Sequence, residues 1–196
     1  MDLFSAICQG LGLALAVGVG GPLTALFIAM MAALESGIRP EATDYEFLGA
    51  TWFLVTLLAI VVVFMLARSR NVMRWPQVAV LAAIGAVVCA ASLAEEGEAA
   101  WPGLILGAAA AGFAALVAWS ILAGAVSRAA GSEPGSREAD AANVMIVAFA
   151  AAGIVLAAAS LFLPPVSLVA LAALVWLALS RRRRAGEKYE GLRILR

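Results

Sequence analysis

LFSAICQGLGLALAVGVGGPLTALFIAMMAAL, residues 3–34, is an apolar run of 32 residues without a charge, and GVGGP (18–22) sits in its middle. Whether this run is one membrane span or two short ones decides the threading of everything after it. Split at the glycines, the halves of about 15 and 12 residues reach only about 22 and 18 Å, short of the roughly 30 Å of a bilayer core. As one unit the run reaches about 48 Å, which suits a tilted or bent span. The expectation is a single first span, kinked or unwound at Gly18, Gly20, Gly21 and Pro22, with Thr24 just beyond the break.

The rest of the chain has the same character. Of 196 residues, 64% are hydrophobic and 13% charged, and the mean hydropathy is +1.01. A soluble domain carries about 25% charged residues. Four further apolar blocks follow: Phe47 to Ala67, Val78 to Ala94, Pro102 to Val126 and Ala141 to Leu179. The last would be about 58 Å long as one helix. Pro164-Pro165 removes two amide donors near its middle, so it reads as a helical hairpin. The fold class expected is all-α: a polytopic bundle of six transmembrane helices over residues 1–180, with a basic tail over 181–196.

Charge gives the sidedness, because short cytoplasmic loops carry the Lys and Arg excess. RSRNVMR holds Arg68, Arg70 and Arg74 without an acid, and EEGE holds Glu95, Glu96 and Glu98 without a base. Those two loops belong on opposite sides. Alternation then places both chain ends in the cytoplasm, with ESGIRPEATDYE outside and 12 of the 13 Lys and Arg residues inside. The expected location is the bacterial inner membrane. The external acids Glu35, Glu41, Asp44 and Glu46 form either a cation-attracting surface or a solvated loop. Arg181, Arg182, Arg183 and Arg184, next to the sixth span, are placed to meet anionic lipid headgroups.

Between the spans, small residues allow close backbone approach. Gly103, Gly107 and Ala111 share one stripe of the fourth span, which makes that span the expected centre of the bundle. Trp52, Trp75, Trp101 and Trp176 fall near span ends, as interfacial anchors do, whereas Trp119 lies deeper. Cys8 and Cys89 have neither CxxC spacing nor a histidine partner and read as small packing residues.

The chemistry written into the spans is sparse. Histidine is absent from the chain, which removes His-based triads and His-ligated metals. No Asp, Glu, Lys or Arg falls within a span away from its ends, so a proton relay at depth is disfavoured. Thr24, Thr56, Ser120, Ser160 and the glycine break are the polar features left at depth. Neither catalysis, a cofactor, a metal nor a nucleic-acid partner is expected.

Several stretches resemble one family. They are LGLALAVGVGGPL, LESGIRPEATD, RWPQVAV at the opening of the third span, SRAAG before an acidic linker, the Pro-Pro break, and the arginine run ending in GLRILR. In these the chain is similar to the bacterial inner-membrane proteins grouped as domain of unknown function four-one-two-six. The resemblance implies a compact polytopic fold and brings no established activity, substrate or catalytic residue. The functional expectation is a channel or transporter for an ion or small solute, alone or as a homo-oligomer. The alternatives are a non-transporting scaffold or accessory subunit that binds lipid or a partner protein, and a lipid-carrier translocase.

Overall fold

A helix that is apolar on every face is stable only where every face is covered. The first helix of this chain meets that condition with protein rather than lipid. A computed structural model describes residues 3–36, 43–69, 74–129 and 137–193, with side chains at 67–69, 74, 124–129, 137–139, 142 and 182–193 excepted. Within these, α1 (Leu3–Gly20) is buried on all sides from Ala6 to Gly18, apart from Ile7 and Leu11. The other helices are α2 (Pro22–Ala33), α3 (Thr51–Ser69), α4 (Arg74–Ala94), α5 (Trp101–Ala129), α6 (Arg137–Phe162) and α7 (Val166–Arg193). A 3-10 turn, Glu46–Gly49, precedes α3, and among the described residues there is no strand.

Glycine lets the neighbours of α1 come this close. A Cβ on Gly12 would sit 2.7 Å from Ser160 Cβ in α6 and 2.8 Å from Ser167 Cβ in α7. One on Gly18 would sit 2.6 Å from Ala114 Cβ in α5, and one on Gly20 would sit 2.9 Å from Gly153 Cα in α6. Gly10 faces Cys89 in α4 in the same way. α4 and α5 form the closest helix pair, with Gly103 against Ala90 and Leu93, and Gly107 against Gly85 and Cys89. Ala111 is fully buried where α5 meets both Gly18 of α1 and Gly85 of α4. The small-residue stripe of α5 therefore packs on α4, but the centre of the bundle is α1, not the fourth apolar block expected from sequence. The reason is mutual: α1 carries small residues on several faces, and α5 carries them mainly toward α4 and α1.

The same pairs fix the helix directions. Gly10 lies level with Cys89, Gly12 with Ser160 and Ser167, and Gly20 with Gly153. So α1 runs antiparallel to α4 and α6 and parallel to α5 and α7. Leu3 consequently lies at the end of the bundle that holds the Glu95–Glu98 turn and the Pro164-Pro165 turn. The far end of α7 lies at the opposite end, where the Arg181 guanidinium donates to the Ser120 carbonyl at 2.7 Å. The expectation that both chain ends share one side counts residues 3–34 as one continuous span, whereas α1 and α2 are two helices that meet at Gly21.

Among the described residues, four helical stretches are long and apolar enough to cross a membrane: Leu3–Gly20, Trp75–Ala94, Trp101–Ala123 and Asn143–Phe162. Pro22–Ala33, Thr51–Leu66 and Val166–Arg181 are shorter apolar helices. α7 continues without interruption past residue 180, so the tail does not begin at a helix end. Trp52, Trp75, Trp101 and Trp176 are all exposed on the outside of the bundle.

Candidate functional site

Gly21 separates α1 from α2 with φ 73° and ψ −158°, a region of backbone space that is essentially restricted to glycine. Its N–H donates to the Val17 carbonyl at 2.9 Å and so closes the last turn of α1. Its carbonyl accepts from the amides of Thr24 (3.1 Å) and Ala25 (3.4 Å) and so opens α2. Pro22 occupies the first position of α2, where the missing N–H costs least. For α1 the consequence is different. The Gly18 carbonyl would take its helical bond from residue 22, which has no hydrogen to give. The Gly20 carbonyl would take its own from Thr24, whose amide bonds Gly21 instead. The end of α1 thus presents carbonyl oxygens without their helical donors, at the negative pole of the helix dipole.

These residues form one wall of a cavity of about 160 Å³. Gly18, Gly20, Gly21 and Pro22 line it, and the other walls come from the last turns of α3 (Val61, Phe64, Met65), the first turns of α4, and the facing halves of α5 and α6. Gln77 and Trp119 bring its side-chain polar atoms; Phe64 and Phe149 bring further aromatic surface. No ionisable side chain lines it among the described residues. The backbones of the consecutive helices α3 and α4 stay apart while their side chains, Leu57 and Leu81 among them, join one buried cluster, and each helix gives the cavity one wall.

Thr24 stands apart from the other residues singled out at the break. It does not line the cavity; it is fully buried, with Oγ1 wedged against Gly20 and Gly153 and without a hydrogen-bond partner. Ser160 Oγ is in the same state against Gly12.

The acidic residues lie elsewhere. Glu35, Asp44 and Glu46 are exposed, Glu35 with φ 53°, and Glu35 and Glu46 share a shallow recess with Ala32 and Phe47. Glu41 lies outside the described residues. Among the described residues no three His, Cys, Asp or Glu side chains gather closely enough to hold a metal ion. In the basic run, Arg181 is tied to Ser120 as given above, and the side chains of Arg182, Arg183 and Arg184 lie outside the described set.

Gln77, Phe64 and Phe149 carry no mark in the sequence as site residues. Each belongs to an ordinary apolar helix, and only the gap between α3 and α4 brings them to the break. Trp119, set apart from the interfacial tryptophans by its depth, is half-buried on the cavity wall.

Fold and site together define an α-helical membrane protein with a glycine-broken helix facing an apolar cavity. In comparisons with known proteins, no family model, no curated protein and no solved structure matches the chain.

Proposed function

We propose that the chain is a multi-pass membrane transporter for a small apolar or amphiphilic solute, with its binding site at the Gly18–Leu23 break. The observation that carries this reading is the cavity wall made by the break itself. Non-helical backbone at membrane depth is tolerated where protein or a cavity satisfies it, and interrupted helices are how many transporters build a substrate site. A cavity without ionisable lining favours an uncharged or amphiphilic solute over an ion. The resemblance to the uncharacterised inner-membrane family belongs with this proposal and adds no substrate to it.

The proposed threading follows the helix directions. α1 runs from the acidic end toward the arginine end and stops at Gly20, level with Gly153 in the middle of α6. α2, about 18 Å long, returns partway along α3: its last residues Ala32 and Ala33 pack on Gly49 at the start of α3, and its first share the cavity with Val61, Phe64 and Met65. α3 to α7 then alternate. Asp2, Glu35, Glu41, Asp44, Glu46, Glu95, Glu96 and Glu98 fall on one side with Arg39 the single base, and the other 12 bases fall on the opposite side. Arginine excess makes that second side cytoplasmic, so the chain starts outside and ends inside a bacterial inner membrane.

The test is uptake into proteoliposomes of a panel of neutral, amphiphilic and ionic solutes. Ala118→Phe, which fills the cavity, is expected to abolish the uptake that the unmodified chain supports. Gly112→Ala, on a face with room to spare, is expected to leave it unchanged. If no solute enters faster than into protein-free vesicles, the transport reading fails. A stoichiometric partner protein on purification would then support the scaffold reading.

A further inference from the structure

We propose that the ligand of the break cavity is a neutral apolar ring carrying one hydroxyl or N–H donor, and that this donor bonds the Gly18 or Gly20 carbonyl at the end of α1. The inference rests on the reading of the cavity as a binding site, and it does not require that anything be transported.

The break offers acceptors without donors. The amides of residues 18–20 lie inside α1, the Gly21 amide is spent on the Val17 carbonyl, and Pro22 has none. The Gly18 and Gly20 carbonyls lack their helical donors, as described above, and the carbonyls of a last turn point along the axis past the helix end. Here that direction is toward the break. Gly18 is buried, Gly20 and Gly21 are half-buried, and all three stand on the cavity wall. A buried acceptor left unbonded is costly, so a ligand that brings the missing donor is favoured over one of the same shape without it.

Depth and size narrow the class. Gly20 is level with Gly153, in the middle of α6, and Phe64, Trp119 and Phe149 stand on the walls around the break. Hydrogen bonds are electrostatically stronger in such surroundings than in water. An apolar cavity of about 150 Å³ takes a benzene-sized group, and this one is about 160 Å³. One substituted ring fits.

The same lining excludes a full charge. The negative pole of the α1 dipole attracts a cation, but no ionisable side chain lines the cavity among the described residues. Taking a charge out of water without a counter-charge costs far more than burying a neutral donor. The chemical class is therefore a phenol, an aromatic alcohol or an indole-like N–H, in preference to the matching hydrocarbon or the matching ammonium.

The experiment uses the full chain in nanodiscs with Trp52, Trp75, Trp101 and Trp176, all exposed on the outside of the bundle, changed to Phe. Trp119 on the cavity wall is then the single fluorophore. Para-bromophenol and para-bromotoluene have nearly the same shape, quench through the same atom and differ in the donor. Each is titrated at neutral pH and referred to its own concentration in the bilayer, with Ala118→Phe, which fills the cavity, as the baseline. Saturable quenching above that baseline is expected, with the phenol favoured roughly three- to ten-fold, the worth of one net hydrogen bond. Gln77→Met removes the one side-chain oxygen on the wall and should keep the preference. In a chain labelled with heavy carbon at its glycine carbonyls, the phenol should move a glycine carbonyl band to lower infrared frequency and the toluene should not. Equal binding of the two rings, a preference lost in Gln77→Met, an unmoved glycine band, or tighter binding of para-bromobenzylammonium overturns the proposal. A donor preference in a protein that moves no solute would uphold it while the transport reading fell; solute uptake that Ala118→Phe abolishes, with no donor preference, would do the reverse.

Discussion

Gly107 and Gly112 are five residues apart on α5 and differ in one respect, which makes them a matched test of the packing argument. Changing either to Ala gains the same helix propensity, about 1 kcal/mol. At Gly112 the new methyl meets nothing nearer than Ala82 Cβ at 3.7 Å, an ordinary contact. At Gly107 it would meet the Gly85 carbonyl oxygen, with Gly85 C at 2.9 Å and Cys89 Cβ at 2.6 Å. Two of those three atoms are backbone, so relief requires α4 and α5 to separate along their length. Overpacking of this kind costs about 1–3 kcal/mol. Gly112→Ala should therefore be neutral or stabilising, and Gly107→Ala should lie about 1–3 kcal/mol below it. For a chain of this size that is a gap of about 2–12 °C in melting midpoint. The buried thiols of Cys8 and Cys89 supply the assay, because a maleimide dye reaches them only on unfolding. Equal midpoints for the two variants would refute the claim that α4 and α5 are held at glycine distance.

Two further outcomes can be checked on the same protein. Thr24→Val keeps the shape of the side chain and removes a buried oxygen that has no hydrogen-bond partner, so the melting midpoint should stay or rise, by up to a few degrees; a clear fall would mean that the hydroxyl is bonded in the folded protein. In a background without Cys8 and Cys89, Phe4→Cys and Glu98→Cys should react with an impermeant thiol reagent from one side of the membrane and Ala185→Cys from the other; labelling of Phe4→Cys together with Ala185→Cys would return both chain ends to one side.

The sequence marks where helices lie far better than how they pack, and particular residues show why. Pro164-Pro165 falls between the end of α6 at Phe162 and the start of α7 at Val166, because proline acts on the backbone locally. Gly21 and Pro22 act locally as well, and the chain breaks there. Which helix becomes the centre is not a local property. α5 and α1 are both rich in Ala and Gly, and α1 is enclosed only because α4, α5, α6 and α7 each bring a small residue to one of its glycines. The direction of α1 was hidden for a related reason: loop charges give sidedness only after the crossings are counted, and the crossings depend on what the chain does after Gly21. The cavity was the least legible feature. Its walls come from five helices and the break between the first two, and no residue pattern records where such walls meet.

The enclosure of α1 also limits what the protein can do. From Gly10 to Gly20 its contacts with α4, α5, α6 and α7 are at glycine distance, which leaves no room for a file of water beside it. A polar route through the middle of the bundle would have to separate helices whose backbones are in contact, and each separation would expose buried Ser160 or Thr24 without supplying a charge to follow. The space beside α3 is different. α3 is held mainly by α2 and the short 3-10 turn before it, and its outer face, from Trp52 to Leu66, is exposed. The break that ends α1 and one wall of the cavity are thus the same five residues, GVGGP.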